Sequence, residues 1–226
     1  MKLISKNNDI NKETIEILEK LKDYIENKSL PGNAAFSRLA PIFHNSNRNH
    51  LNEKPNKNTK NCSVLLLLST INEELHIVFT LRTFQLISHS GQLCFPGGQS
   101  KISETPEETA LRETVEEIGI KPYTIEILGK LTPIYILPSN SLITPVVGFS
   151  NQYLDFIINP DEVKEAFTIP ISFFSFNNIK SKMWQINNED ITMPYWQIHP
   201  TVPLWGATAM ILAEFLTIYE NIKLVI

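Results

Sequence analysis

The sequence predicts a mixed α/β fold of the α+β kind, a sandwich built on a sheet whose strands run in both directions. Three observations carry that expectation. An amphipathic helical stretch opens the chain, short apolar or alternating runs bounded by turn residues follow, and strands and helices then mix without a regular β-α-β alternation. A chain of 226 residues suits one well-packed domain with a terminal extension. With 42% hydrophobic and 19% charged residues it can bury a real core, which excludes a disordered chain.

Taken in order, Ile10 to Asn27 places Thr14, Ile17, Leu18, Leu21, Tyr24 and Ile25 three and four residues apart among Glu and Lys, the spacing of a helix with one apolar face. From His44 to Asn61 the chain is Asn, Lys, Ser and Pro with almost nothing apolar, so an exposed loop is expected there. The division that follows is an extension at 1–60 and a core domain at 61–226. Val64 to Leu68 and His76 to Arg82, separated by Asn72-Glu73-Glu74, read as a β-hairpin. Further strands are expected at Thr124 to Leu131 and Leu142 to Phe149, and a last helix from about Ala207 to Tyr219.

Charge and cysteine usage narrow the function. Twenty basic against twenty-four acidic residues leave a net charge of -4, so no global field draws nucleic acid or anionic lipid, and a polyanionic substrate needs local help such as a bound cation. Cys62 and Cys94 lack the dense pairing of a secreted disulfide framework and read as buried thiols. The N-terminus turns polar at once and no later apolar run reaches spanning length, so the expectation is a cytoplasmic protein with neither a membrane nor a nucleic acid as partner.

The stretch from Gly97 to Ile120 carries the most chemistry. Thr105 can cap a helix, Pro106 suits its first position, Glu108 completes a capping box and Gly119 ends the helix in a left-handed turn. At about 100° per residue, Leu111, Val115 and Ile118 form the expected core face and Glu113, Glu116 and Glu117 the opposite one. Three like charges within about one turn weaken a helix by a few tenths of a kcal/mol each unless something neutralises them. A solvated acidic face is the plain reading of three such glutamates. The alternative is a site for a hard divalent cation, which takes carboxylate and phosphate oxygens.

The surrounding residues favour the second reading, because the stretch resembles the Nudix box from Gly98 through Glu104, Arg112, Glu113, Glu116, Glu117 and Gly119 to Ile120. Only Thr114 departs, where an aliphatic residue is usual. The resemblance implies an α/β/α sandwich in which Glu113, Glu116 and Glu117 bind Mg²⁺ or Mn²⁺ with the Gly98 carbonyl as a further ligand. It also implies an ion pair between Glu104 and Arg112 that ties loop to helix.

The flanks are similar to those of coenzyme A diphosphatases. Thr80, Arg82, Gly91, Phe95, Pro96, Gly97 and Gly98 match the signature before the box, as do His89-Ser90-Gly91-Gln92. Arg82, His89, Gln92 and Gly97 are the expected substrate contacts. Downstream, Leu137-Pro138-Ser139 and Thr144 to Gly148 look like the family's strand segments after the box, Asn159 to Val163 looks like its Pro-x-Glu-Val element, and Leu204 to Ala209 looks like the opening of its last helix. The likeness runs from about Cys62 to Leu216 and leaves residues 1–60 outside.

Many enzymes of the family supply an extra ligand or general base from a late loop, which makes Glu162 the candidate, with Asp161 and Glu165 as neighbours able to serve instead. Trp196 and Trp205 read as core residues ahead of base-stacking ones. The catalytic set is then Glu116, Glu117 and Glu162, and the activity implied is hydrolysis of the diphosphate of coenzyme A or a derivative to 3′,5′-ADP and 4′-phosphopantetheine.

Ile87 stands where the signature has Arg, and Ile offers no fork to a phosphate. That keeps a pyrophosphatase for ADP-ribose, a dinucleotide or another nucleoside diphosphate derivative open. A non-catalytic nucleotide sensor is the reading from another class, opposed by the complete set of box carboxylates. The sequence leaves a homodimer open.

Overall fold

The Asn11 side chain accepts a hydrogen bond from the Thr14 amide at 2.8 Å and so starts the first helix, α1 (Lys12–Asn27). The structure, a computed structural model, describes residues 10–44, 50–83, 91–186 and 189–225. Thr14, Ile17, Leu21 and Ile25 make the buried stripe of α1. A short helix α2 (Asn33–Phe36) and strand β1 (Ile42–Phe43) precede the hairpin of β2 (Lys60–Ile71) and β3 (Glu74–Arg82). Its turn residues Asn72 and Glu73 have φ of 50° and 65°, the left-handed pair that matches the twist of a tight hairpin.

Two short strands follow, β4 (Leu93–Cys94) and β5 (Gly97–Gln99), then helix α3 (Pro106–Ile118). The chain continues through β6 (Glu126–Lys130), β7 (Ile134–Ile136), β8 (Ser141–Ser150) and β9 (Val163–Pro170), then β10 (Lys180–Ile186), β11 (Glu189–Tyr195) and helix α4 (Gly206–Lys223). The main sheet has the order β4-β3-β2-β8-β6, with β5 joined to β2, β7 to β8 and β9 to β3. β2 and β8 run parallel from Lys60↔Ser141 to Ser69↔Ser150 while the other pairings of this sheet are antiparallel, so it is mixed. A second sheet, β1-β11-β10, is antiparallel throughout; the sequence reading named none of its strands.

Burial on both faces explains why β2 reads as an unbroken apolar run instead of alternating. Leu66 and Leu68 join Ile17, Leu21, Phe79, Trp196 and the apolar side of α4 in one core cluster. Leu65 and Leu67 join Ala110, Ile118, Val146 and Val163 in the other. The result is an α/β/α sandwich with α1 and α4 on one side of the sheet and α3 on the opposite side. Phe36 and Leu39 also lie in the first cluster, so residues before position 60 contribute core. Among the described residues no helix is long and apolar enough to cross a membrane.

Two details differ from expectation. The buried side of α3 is Thr109, Ala110, Thr114, Glu117 and Ile118, while Val115 is 37% exposed and Leu111 only partly buried. Small Ala110 and Thr114 let the helix lie close on the sheet, and the Thr114 hydroxyl donates to Ala110 O at 2.7 Å, which is how a polar group fills a position expected to be aliphatic. Leu137–Ser139, expected to be strand, is a 3-10 turn linking β7 to β8, because Asn140 after it is left-handed with φ of 47°.

Glu214 on α4 is fully buried and accepts from Gly32 N at 2.7 Å, Thr132 N at 3.0 Å and Thr132 Oγ1 at 2.6 Å. It binds the N-terminal segment and the β6–β7 link to the last helix. Glu214→Ala strands the buried Gly32 amide and two half-buried Thr132 donors and is expected to cost about 2–4 kcal/mol in urea unfolding; a loss under about 0.5 kcal/mol would refute this role.

Candidate active site

Two glycines and an ion pair set the loop that leads into α3. A Cβ on Gly97 would sit 2.4 Å from Ser63 O and 2.6 Å from Val64 Cα, so only glycine lets β5 lie this close to β2. A Cβ on Gly98 would meet the Glu113 carboxylate at 2.5 Å, and glycine leaves that space to the acid. Arg112 donates through Nε to Glu104 Oε1 at 2.6 Å and through Nη2 to Glu104 Oε2 at 2.9 Å, the expected pairing in its bidentate form. Its Nη2 also donates to Gln99 O at 3.1 Å, and its Nη1 to Glu113 at 2.6 Å and Glu116 at 2.9 Å. The fork from Arg112, with a further bond from the Lys101 amide, holds the Glu104 carboxyl down at about 2.

Helix α3 then presents its acids. Thr105 accepts from the Glu108 amide while the Glu108 side chain accepts from the Thr105 amide, and Gly119 ends the helix at φ of 73°. Glu113, Glu117 and Glu162 bring carboxylate oxygens within 4.8 Å of one another. Glu117 is fully buried; it accepts from Arg82 Nη1 at 2.8 Å and from the Gly97 amide at 3.1 Å. Burial, with Glu113 and Glu162 adding negative charge, raises its carboxyl from 4.5 to about 7 although Arg82 and the Gly97 amide pull the other way. Three converging hard oxygens, one of them on a desolvated acid, form a donor set that fits a small divalent cation.

Glu116 lies apart from this trio, 46% exposed, 2.9 Å from Arg112 and 3.5 Å from Lys101. Glu162 enters from the turn before β9, whereas Glu165 pairs with His199 at 3.3 Å. The Asp161 carbonyl accepts from the Thr83 hydroxyl at 3.1 Å. The Gln92 carbonyl accepts from the Arg82 amide at 3.0 Å. His89 and Ile87 fall outside the described residues. Trp196 is a core residue whose indole donates to Ser175 O at 3.0 Å, and Trp205 stands edge-on to Trp184 at 4.8 Å. Cys62 and Cys94 are free thiols, and burial pushes Cys94 up to about 11.

A polar cleft of about 600 Å³ lies beside the box loop, walled by Lys57, Lys60, Asn61, Ser100 and Lys101. Glu104, the carboxylate in its wall, is taken up by Arg112, which leaves Lys57 and Lys60 to set the local charge beside Lys101, itself paired with Glu116. Sequence reasoning missed Lys57 and Lys60, because they sat in a stretch legible only as loop, and it gave Lys101 no role although that residue lies within the box stretch. It also quoted Asn159 without giving it a role, although Asn-Pro-Asp is a turn signal.

The chain matches the NUDIX domain over residues 62–193. It is 33% identical over 172 residues to Nudix hydrolase 3 of Caenorhabditis elegans, an alignment covering 69% of this chain and 72% of that protein. It is also 40% identical over 113 residues to the peroxisomal coenzyme A diphosphatase of Mus musculus, covering 50% of this chain and 48% of that one. Among solved structures, a Nudix hydrolase from M. smegmatis shares 15% identity at a TM-score of 0.48 over 74% of this chain and 88% of that chain. The chain belongs to the NUDIX domain family and is a Nudix hydrolase.

The Glu117 shift has a consequence for stability without metal. Between pH 4.5 and about 7 the folded protein holds a proton that the unfolded chain has released, so this group's contribution falls as pH rises through that window. Urea unfolding in chelator at a series of pH values is expected to show a decline on the order of 3 kcal/mol that Glu117→Gln removes. An unchanged slope in the variant would count against the buried, raised carboxyl.

Proposed function

We propose that this chain hydrolyses the diphosphate linkage of coenzyme A or a derivative to 3′,5′-ADP and 4′-phosphopantetheine, using Mg²⁺ or Mn²⁺. The observation that carries the metal-dependent part is the convergence of Glu113, Glu117 and Glu162 within 4.8 Å. Support for the substrate comes from the flanking signature around Gly91 and Phe95 to Gly98, from the likeness to a mouse protein named a coenzyme A diphosphatase, and from a lysine-walled cleft suited to a polyanion.

Glu113 and Glu117 would hold the cation together with the Gly98 carbonyl; Glu116 would join them only by leaving Arg112 and Lys101, its partners outside the trio. A cation there supplies neutralising charge to the diphosphate and makes an attacking water more acidic. Glu162, across from α3, would accept a proton from the water whose oxygen bonds to phosphorus while the bridging P–O bond breaks and its oxygen leaves with the other phosphate. Arg82 and the Gly97 amide keep Glu117 aimed into the cluster. Lys57, Lys60 and Lys101 draw the phosphates of the substrate along the cleft, with charge that is strongest at low salt.

Ile87 favours a second reading within the family, hydrolysis of ADP-ribose, a dinucleotide or another nucleoside diphosphate derivative, since the branch signature has Arg there. Incubating the chain with Mg²⁺ and each compound in turn separates the two. Release of 3′,5′-ADP from coenzyme A is expected; turnover confined to other nucleotides supports the second reading, and binding without any turnover would refute both in favour of a sensor.

Glu117→Gln and Glu162→Gln are each expected to lower kcat by about a hundredfold or more. Mg²⁺ should raise the Tm of the wild type and shift that of Glu117→Gln much less. Cation binding near pH 6.5 should also release much of a proton from Glu117, a release that fades by pH 9. A pH-independent proton count near zero in calorimetry would contradict Glu117 as a ligand.

A further inference from the structure

Glu162 sits on a loop, and a loop carboxylate has no fixed aim unless something holds it. Among the described residues, the hydrogen bonds that hold this one come through Asn159 and Thr83. The Asn159 amide donates to Glu117 O at 2.9 Å, which anchors the loop to the last turn of α3. Asn159 O accepts from the Glu162 amide at 3.1 Å and the Val163 amide at 2.8 Å, folding the chain into a tight turn. The Asn159 side chain works at both ends. Its Oδ1 accepts from the Asp161 amide at 3.1 Å and its Nδ2 donates to Glu162 Oε1 at 3.3 Å. The opposite amide orientation would set an N–H₂ against an N–H and an oxygen against a carboxylate, so the network selects this one. Thr83 completes the hold, its amide donating to Glu162 O at 3.0 Å.

We propose that Asn159 is a positioning residue for the hydrolysis, aiming the Glu162 carboxylate at Glu113 and Glu117 through its Nδ2 while its backbone ties the loop to α3. The inference rests on Glu162 having the role given it above. Its physical content is that one asparagine joins the two halves of the acidic cluster, since its amide bonds the residue 117 carbonyl and its side chain bonds the residue 162 carboxylate. Without the Nδ2 bond, Glu162 keeps its place in the chain but loses its direction.

Asn159→Asp tests this with little disturbance. The aspartate retains an oxygen for the Asp161 amide, so the turn survives, but it replaces the donor facing Glu162 with a second acceptor of like charge. Asn159→Ser is the neutral companion, keeping a turn-forming hydroxyl too short to reach Glu162. At saturating Mg²⁺, kcat should fall about ten- to hundredfold in the aspartate variant and less in the serine variant, with KM within about twofold and Tm nearly unchanged. In a Glu162→Gln background, Asn159→Asp should cost no further activity. A readout without metal accompanies these: the Asn159 side-chain amide signals in ¹⁵N NMR should move on Glu162→Gln.

A crippled Glu162→Gln beside a fully active Asn159→Asp overturns the positioning role alone. Full activity in Glu162→Gln, or no turnover by the wild type, overturns the reading of Glu162 and this inference with it. Losses that multiply in the double variant, a loss that tracks a lowered Tm, or unmoved amide signals also overturn it.

Discussion

Like charges held together in a partly dry place are the constraint on which the rest of this structure depends. Glu113, Glu117 and Glu162 converge within 4.8 Å, and Glu117 has no exposure at all. Such a cluster opposes folding unless donors surround it, and the surrounding architecture provides them. Arg82 at the end of β3 and the Gly97 amide of β5 both serve Glu117, while Arg112 serves Glu113 from the same helix. The two donors to Glu117 come from strands whose position is set elsewhere, so the buried acid is held by the sandwich and not by its own helix alone.

The sheet makes that holding rigid. β2 is covered on both faces and paired along its length with β8, and β5 is attached to it through the contact that glycine at 97 permits. Helix α3 lies close on this platform because Ala110 and Thr114 are small, which carries Glu117 inward to the sheet instead of outward to solvent. On the far side, α1 and α4 close the other core, with Glu214 joining Gly32 and Thr132 across it. The lysines of the cleft are exposed, Lys60 at the outer end of β2, so their positive charge carries little desolvation cost.

Much of the fold was legible because local chemistry specifies it. The capping box at Thr105 and Glu108, the left-handed Gly119, the Asn72-Glu73 turn and the apolar spacing of α1 all depend on residues a few positions apart, and all appear in the structure. The buried side of α3 was read one position off. Periodicity ranks residues by apolarity, and it assigned Leu111 and Val115 to a core that the close approach to the sheet gives to Ala110 and Thr114. The β1-β11-β10 sheet went unread, its strands being short and mixed in polarity.

By itself the sequence determined the acidic helix, its caps and the glycines before it, since these follow from spacing along one continuous segment, while the Glu104–Arg112 pair was implied by the resemblance to the Nudix box. Only the tertiary structure decided which acids meet. It set Glu162, forty-five positions beyond Glu117, beside it and Glu113, and it turned Glu116 outward to Arg112 and Lys101. The physical reason is that a carboxylate's company depends on how the turn at Asn159 bonds to the end of α3 and how the helix is rotated on the sheet. Both are settled by packing between segments far apart in the chain.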